Sequence, residues 1–169
     1  MKTKRLHGRY WLIFVATLVL AAVLLVFFLQ RTPLIPDGIR KQVSFVILYP
    51  EKKSQTVVDR PSLKYDSGQH TLSYRAKVGS GNLVISEQPT PENFTDIPQL
   101  YDKVLEQMHS YESLDTRYGK VALTKPDTSN NNQVGVINTN GTLMFVRAEQ
   151  DLTTEQWRQF FNSLQLITP

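Results

Sequence analysis

The 169-residue chain predicts an α+β fold: a transmembrane helix, then a mostly antiparallel sheet with two helices at about residues 96–112 and 153–165. Three observations carry that expectation. An uncharged apolar run extends from Tyr10 to Leu29, directly behind a basic tail. Short strand-like segments punctuated by turn signals fill most of the chain after residue 43. Two stretches in that region adopt the helical period instead.

The apolar run spans 20 residues, which at ~1.5 Å per residue give ~30 Å of helix, the thickness of a bilayer core. Fourteen of the 20 are Leu, Ile, Val or Phe, and none is Pro, Gly or charged. Tyr10 and Trp11 stand at its start, where amphipathic rings favour the headgroup layer. The run ends Val-Phe-Phe-Leu-Gln-Arg, bulky where a signal peptidase needs small residues, so an uncleaved signal-anchor is expected. A pilin-type leader needs an acidic residue five positions after Gly8, and Ile13 stands there. The predicted partner of Tyr10 to Leu29 is the lipid bilayer.

Charge sets the expected orientation. Residues 1–9 carry Lys2, Lys4, Arg5 and Arg9, whereas residues 30–42 carry Arg31, Arg40 and Lys41 against Asp37. The excess favours a cytoplasmic N-terminus. The predicted organisation is a cytoplasmic basic tail (1–9), a transmembrane helix (10–29), a stalk with Pro33, Pro36 and Gly38 (30–42) and an extracytoplasmic α+β domain (43–169) at the cell membrane. From residue 43 onward there are 12 Lys/Arg and 14 Asp/Glu, a net charge of −2. The whole-chain pI of 9.3 therefore reflects the N-terminal region. Composition gives no sign of the basic face that nucleic-acid binding needs, so no nucleic-acid partner is expected. The chain has no Cys, which excludes disulfides and thiolate metal sites.

The elements follow in order. Val43 to Tyr49 is apolar on both faces and reads as a central strand stopped by Pro50. Residues 56–58 and 63–65 read as two short strands separated by Pro61. His70 to Val78 alternates, with Leu72, Tyr74, Ala76 and Val78 on one face. Gly79-Ser80-Gly81-Asn82 then leads into a strand over 83–86, a hairpin signature. A glycine-rich phosphate cradle would need a following helix, and a strand follows.

Residues 88–95 form a Pro-rich connection. Asp96 reads as the cap of the long helix, with Pro98 in its first turn. Ile97, Leu100, Tyr101, Val104, Leu105 and Met108 form one apolar stripe. Strands are expected over 120–124, 133–139 and 142–147, with Asn140-Gly141 as a type I′ hairpin turn. Thr153 and Gln156 form a capping box for the second helix, whose apolar face carries Trp157, Phe160, Phe161 and Leu164.

Catalytic signatures are missing. His7 lies in the tail, and His70 and His109 have no second His or carboxylate at metal-ligand spacing. Glu106 and His109 make a Glu-x-x-His step, but a di-iron bundle needs more carboxylate-bearing helices. There is no nucleophile elbow and no Walker loop. No catalytic, cofactor-binding or metal-binding residue is assigned, and no enzyme activity or cofactor is expected. The acids Asp59, Asp66, Glu112, Asp115 and Asp127 are scattered. A hydrolase would need several of Asp59, Asp66, His70, Asp115 and Asp127 to converge. Asn93 and Asn140 head glycosylation sequons.

The stretches GNLVISEQPTPENF, YGKVALTKP and GTLMFVRAEQDLTTEQWRQFFNSLQ give the C-terminal half a layout that resembles small single-pass bacterial envelope proteins of unknown function. The final strand, capped helix and Ser-Leu ending are also similar to extracytoplasmic domains of the lipoprotein-carrier and sigma-regulator type. That resemblance implies an apolar ligand or a protein contact on a curved sheet covered by helices. The expected role is a non-enzymatic interaction module whose partner is an envelope protein or the cell wall. An apolar-ligand or lipoprotein-binding domain and a hydrolase with an unusual site are the alternatives.

Overall fold

The computed structural model describes residues 17–20, 33–125 and 132–169. The chain divides into two compact units, Met1–Pro36 and Asp37–Pro169. In the first, residues 17–20 are helical, with Leu18, Val19 and Leu20 exposed. Among the described residues no helix is long and apolar enough to cross a membrane. The longest, at 10 residues, spans ~15 Å, about half a bilayer core. The transmembrane, single-pass expectation is therefore corrected: it has no support in the described structure. The rest of the run from Tyr10 to Leu29 lies outside the described residues.

The second unit is built mainly from strands, which make up 46% of the described residues. Its elements are α1 (Asp37–Arg40), β1 (Ile47–Pro50), β2 (Thr56–Asp66), β3 (Thr71–Val78), β4 (Gly81–Pro89), α2 (Glu92–Asp96), α3 (Pro98–Gln107), β5 (Ser110–Thr116), β6 (Gly119–Thr124), β7 (Val134–Thr139), β8 (Thr142–Ala148), α4 (Thr154–Asn162) and β9 (Leu164–Ile167). Seven strands form an antiparallel sheet in the order β2-β3-β4-β8-β7-β6-β5, and β1 pairs with β9 in a separate two-stranded sheet. Two meanders, β2-β3-β4 and β5-β6-β7-β8, join where β4 meets β8. The expected α+β balance is corrected to a mostly antiparallel sheet with a few short helices.

The two expected helices differ from prediction for local reasons. The residue before a proline is pushed out of the helical region. Ile97 accordingly sits at φ −131, ψ 79 and splits the stretch into α2 and α3. Asp96 ends α2 instead of capping α3. The helical stretch stops at Gln107, and His109, at φ 54, turns the chain into β5. Residues 110–112 are therefore strand. At the C-terminus the capping box forms: Gln156 N donates to Thr153 Oγ1 at 3.2 Å, and Thr153 N donates to Gln156 Oε1 at 2.9 Å. The helix ends at Asn162, and Leu164, expected on its apolar face, begins β9 opposite Pro50.

Register sorts the sheet's side chains. Leu72, Tyr74, Ala76 and Val78 share one face with Leu83, Ile85 and Glu87, and across β8 with Met144, Val146 and Ala148. All are buried. On that face α4 lays down Trp157, Phe160 and Phe161, each at most 1% exposed. Approach is close at Gly135, where a Cβ would sit 2.9 Å from the Phe161 ring and 3.0 Å from Trp157. The opposite face is covered on one half only. Ala122, Val136 and Leu143 point that way and are buried, because the chain must cross from β4 to the far edge strand β5 through α2 and α3. Thr90, at the start of this crossover, donates from Oγ1 to Asn138 Oδ1 on that same face. Among the described residues the β2-β3-β4 half has no such cover.

Turns behave as their residues require. Asn140 and Gly141 have φ 51 and 75, the positive values a type I′ turn needs. The residues expected as two strands around Pro61 are one strand, β2, whose register shifts between Asp59 and Lys64.

Candidate functional site

Two groups of polar side chains stand out, one sealed in the core and one on the open half of the sheet. The sealed group centres on Glu87, fully buried on the inner face of β4. Its Oε2 accepts the Leu48 N–H at 2.8 Å. Tyr74 Oη donates to the Leu48 carbonyl at 3.0 Å, and Thr142 Oγ1 donates to the Val46 carbonyl. These three backbone groups lie on the side of β1 away from β9. Side chains from the main sheet thus satisfy an edge that would otherwise bury unpaired peptide groups. The Tyr49 and Tyr74 rings meet at 5.2 Å. Burial raises the Glu87 carboxyl to about 8, against the Leu48 N–H and the Tyr74 hydroxyl, which favour the charged form. Burial, then the nearby Glu87 charge, raises Tyr74 well above its usual value. Glu87 Oε1 and Tyr49 Oη have no hydrogen-bond partner among the described residues. A raised carboxyl can mark an acid catalyst. Here the group is closed to solvent and bonded to backbone, which makes it a docking device for β1.

The open group is laid out by register. One row across the strands reads Asp59, Arg75, Val84, Arg147, and the row beside it Val57, Lys77, Asn82. A third row begins Lys64, Ser73, Ser86, Phe145. The cations Lys64, Arg75, Lys77 and Arg147 are exposed, and none has an ion-pair partner among the described residues. Val57 is 66% exposed. Two depressions of about 500 and 440 Å³ indent this face, and Asp59 and Arg75 line both. The irregularity in β2 holds Arg75 in place: Ser62 Oγ donates to the Asp59 carbonyl at 2.5 Å and accepts the Arg75 N–H at 2.8 Å.

The scattered acids of the sequence stay scattered. Asp66 closes the β2-β3 turn, accepting Gly68 N–H at 2.9 Å, and His70 sits in that turn at φ 49, not in the strand. Tyr65 Oη and His70 Nδ1 are 3.5 Å apart. Asp59 lies seven positions back along β2, and Asp115 is on β5 at the other edge of the sheet. Glu112, also on β5, accepts from Thr154 Oγ1. Asp127 lies outside the described residues. Glu106, in the last turn of α3, and His109 are both exposed, and the Glu106 carbonyl accepts the His109 N–H at 3.0 Å. Among the described residues no three His, Asp or Glu side chains gather as a metal site would require. Asn93 and Asn140 are both exposed, Asn93 in α2 and Asn140 in the β7-β8 turn.

Sequence reasoning missed Glu87 and the basic rows. The first was detectable: continuing the alternation of Leu83 and Ile85 by two residues points Glu87 inward. The second depends on which strands become neighbours. No family model, no curated protein and no solved structure matches this chain.

Proposed function

We propose that this protein is a non-enzymatic interaction module whose binding surface is the open face of β2, β3 and β4. The observation that carries the reading is the asymmetry of cover. The outer face buries Ala122, Val136 and Leu143 on β6, β7 and β8, while on β2 and β3 it leaves Val57, Lys64, Arg75 and Lys77 exposed around two depressions. An antiparallel sheet can keep one face solvated; here that face also exposes Val57 at 66% beside four cations with no ion-pair partner among the described residues, which supports a contact role. The outer edge of β2 is a poor place to add a strand, because Pro61 has no N–H to donate and the register shift breaks the ladder. The face, and not the edge, is the contact surface.

The apolar-carrier reading needs a lined cavity. It gains no support, since Trp157, Phe160 and Phe161 are buried under α4 and both depressions have mixed linings that include the charged Asp59 and Arg75. The hydrolase reading needs convergent acids, and the described ones lie apart.

Site-specific photocrosslinking in cells tests the proposal. A benzoylphenylalanine in place of Val57 is expected to give a discrete adduct, and the same probe in place of Tyr111, on β5, is expected to give none. Adducts from position 111 with none from position 57 would overturn it.

A further inference from the structure

Resting on that reading, we infer that the partner is an acidic polypeptide segment with apolar residues between its carboxylates. The face supplies the complement. Arg75 and Arg147 both face Val84 across neighbouring strands, which places them ~10 Å apart at ~4.8 Å per strand. Arg75 and Lys77 alternate along β3, ~7 Å apart, the repeat of an extended chain. Val57, Val84 and the half-buried Phe145 lie among the cations. Lys64 adds a fourth positive charge at the end of the surface nearest Asp66.

The same face argues against a uniform polyanion. Asp59 lies in the row with Arg75 and lines both depressions, and Glu149 lines the larger one. Four cations against two acids leave a small positive excess on a domain of net charge −2. A nucleic acid or an anionic bilayer rewards a continuous run of like charge, and these acids would repel it. A peptide of alternating carboxylates and apolar side chains can place charge beside Arg75, Lys77 and Arg147 while avoiding Asp59. Such pairing sets orientation and on-rate and weakens with salt.

Fluorescence anisotropy on the full chain tests this with four probes: a labelled (Glu-Val)₅ peptide, a (Lys-Val)₅ peptide, an oligothymidylate and phosphatidylglycerol vesicles. The expected result is binding of (Glu-Val)₅ alone, lost as salt is raised. Combined Arg75→Glu and Lys77→Glu should weaken it by about tenfold or more, with Arg75→Gln and Lys77→Gln as milder variants should the reversal disturb folding. Equal binding of both peptides, preference for the oligonucleotide or vesicles, or affinity unchanged by the substitutions would overturn the inference. If crosslinking from position 57 persists in those cases, the interaction surface stands and only its assigned partner chemistry falls. If crosslinking fails as well, both fall.

Discussion

The two halves of the seven-stranded sheet follow the same pairing rules and differ in what lies above them. On the β5–β8 half both faces bury apolar residues, Leu123 and Val121 toward α4 and Ala122 and Val136 on the other side, while Ser113, Asp115, Lys120 and Arg147 on that other side stay exposed. On the β2–β4 half only one set is apolar, and the alternate set is Ser73, Arg75, Lys77, Asn82, Val84 and Ser86. The contrast supports the proposed division of one sheet between two purposes. The doubly covered half provides cohesion, and the singly covered half can present charge to a partner at little cost to the fold. Antiparallel strands permit this arrangement because one face of such a sheet can stay solvated.

The comparison breaks most directly at α4. Trp157 is fully buried, its Nε1 donates to Gln133 Oε1 at 3.0 Å, and its ring stacks with Phe161 at 6.0 Å. Trp157→Ala should destabilise the domain by about 3–5 kcal/mol, measured as a loss of urea midpoint. A cost below about 1 kcal/mol would mean that α4 does not hold the covered half together.

The next effect comes from Glu87 and is a slope with pH. Its folded-state carboxyl is raised from 4.5 to about 8, so between these values the folded chain holds a proton that the unfolded chain has released. Stability is then fully present below pH ~4.5 and falls as pH rises through the window, at up to about 1.4 kcal/mol per unit. It levels off above about pH 8. Glu87→Gln stays neutral throughout, so it should remove this slope and be more stable than the parent at pH 8 by a few kcal/mol. Unfolding midpoints at pH 5 and pH 8 decide the matter. A parent midpoint that does not fall between them would show that Glu87 is not held neutral between β1 and the main sheet.

These two residues also show what the sequence makes legible. The capping box, the Asn-Gly turn and the alternation of β3 were readable because each is set by side chains within a few positions. Trp157, Phe160 and Phe161 were placed on a buried helix face by the same local logic. The break at Ile97 is also local: Pro98 suits the first turn of a helix and at the same time excludes its predecessor from one. β5 carries little alternation in Ser110-Tyr-Glu-Ser-Leu-Asp-Thr, and its strand character comes from pairing with β6. β9 exists because Leu164 to Ile167 meets Ile47 to Pro50, over a hundred residues earlier in the chain. Such non-local pairings also made β1 look like a central strand, when its four buried residues belong to a separate sheet. The basic rows required the same knowledge: Arg147 joins Arg75 only once β8 lies beside β4.

The smallest effect is the most discriminating for the open half. Arg75→Gln removes a charge that has no ion-pair partner among the described residues. Its backbone N–H stays bonded to Ser62 Oγ at 2.8 Å. If the face exists for contact and not for cohesion, the substitution should move stability by no more than about 0.5 kcal/mol, read as an unfolding midpoint close to the parent's. A fall of 2 kcal/mol or more, on the order expected for a lost core contact, would assign Arg75 to the fold and erase the division between the two halves. An unchanged midpoint together with weaker capture at position 57 would instead separate binding from stability at one residue, as a surface freed from packing requires.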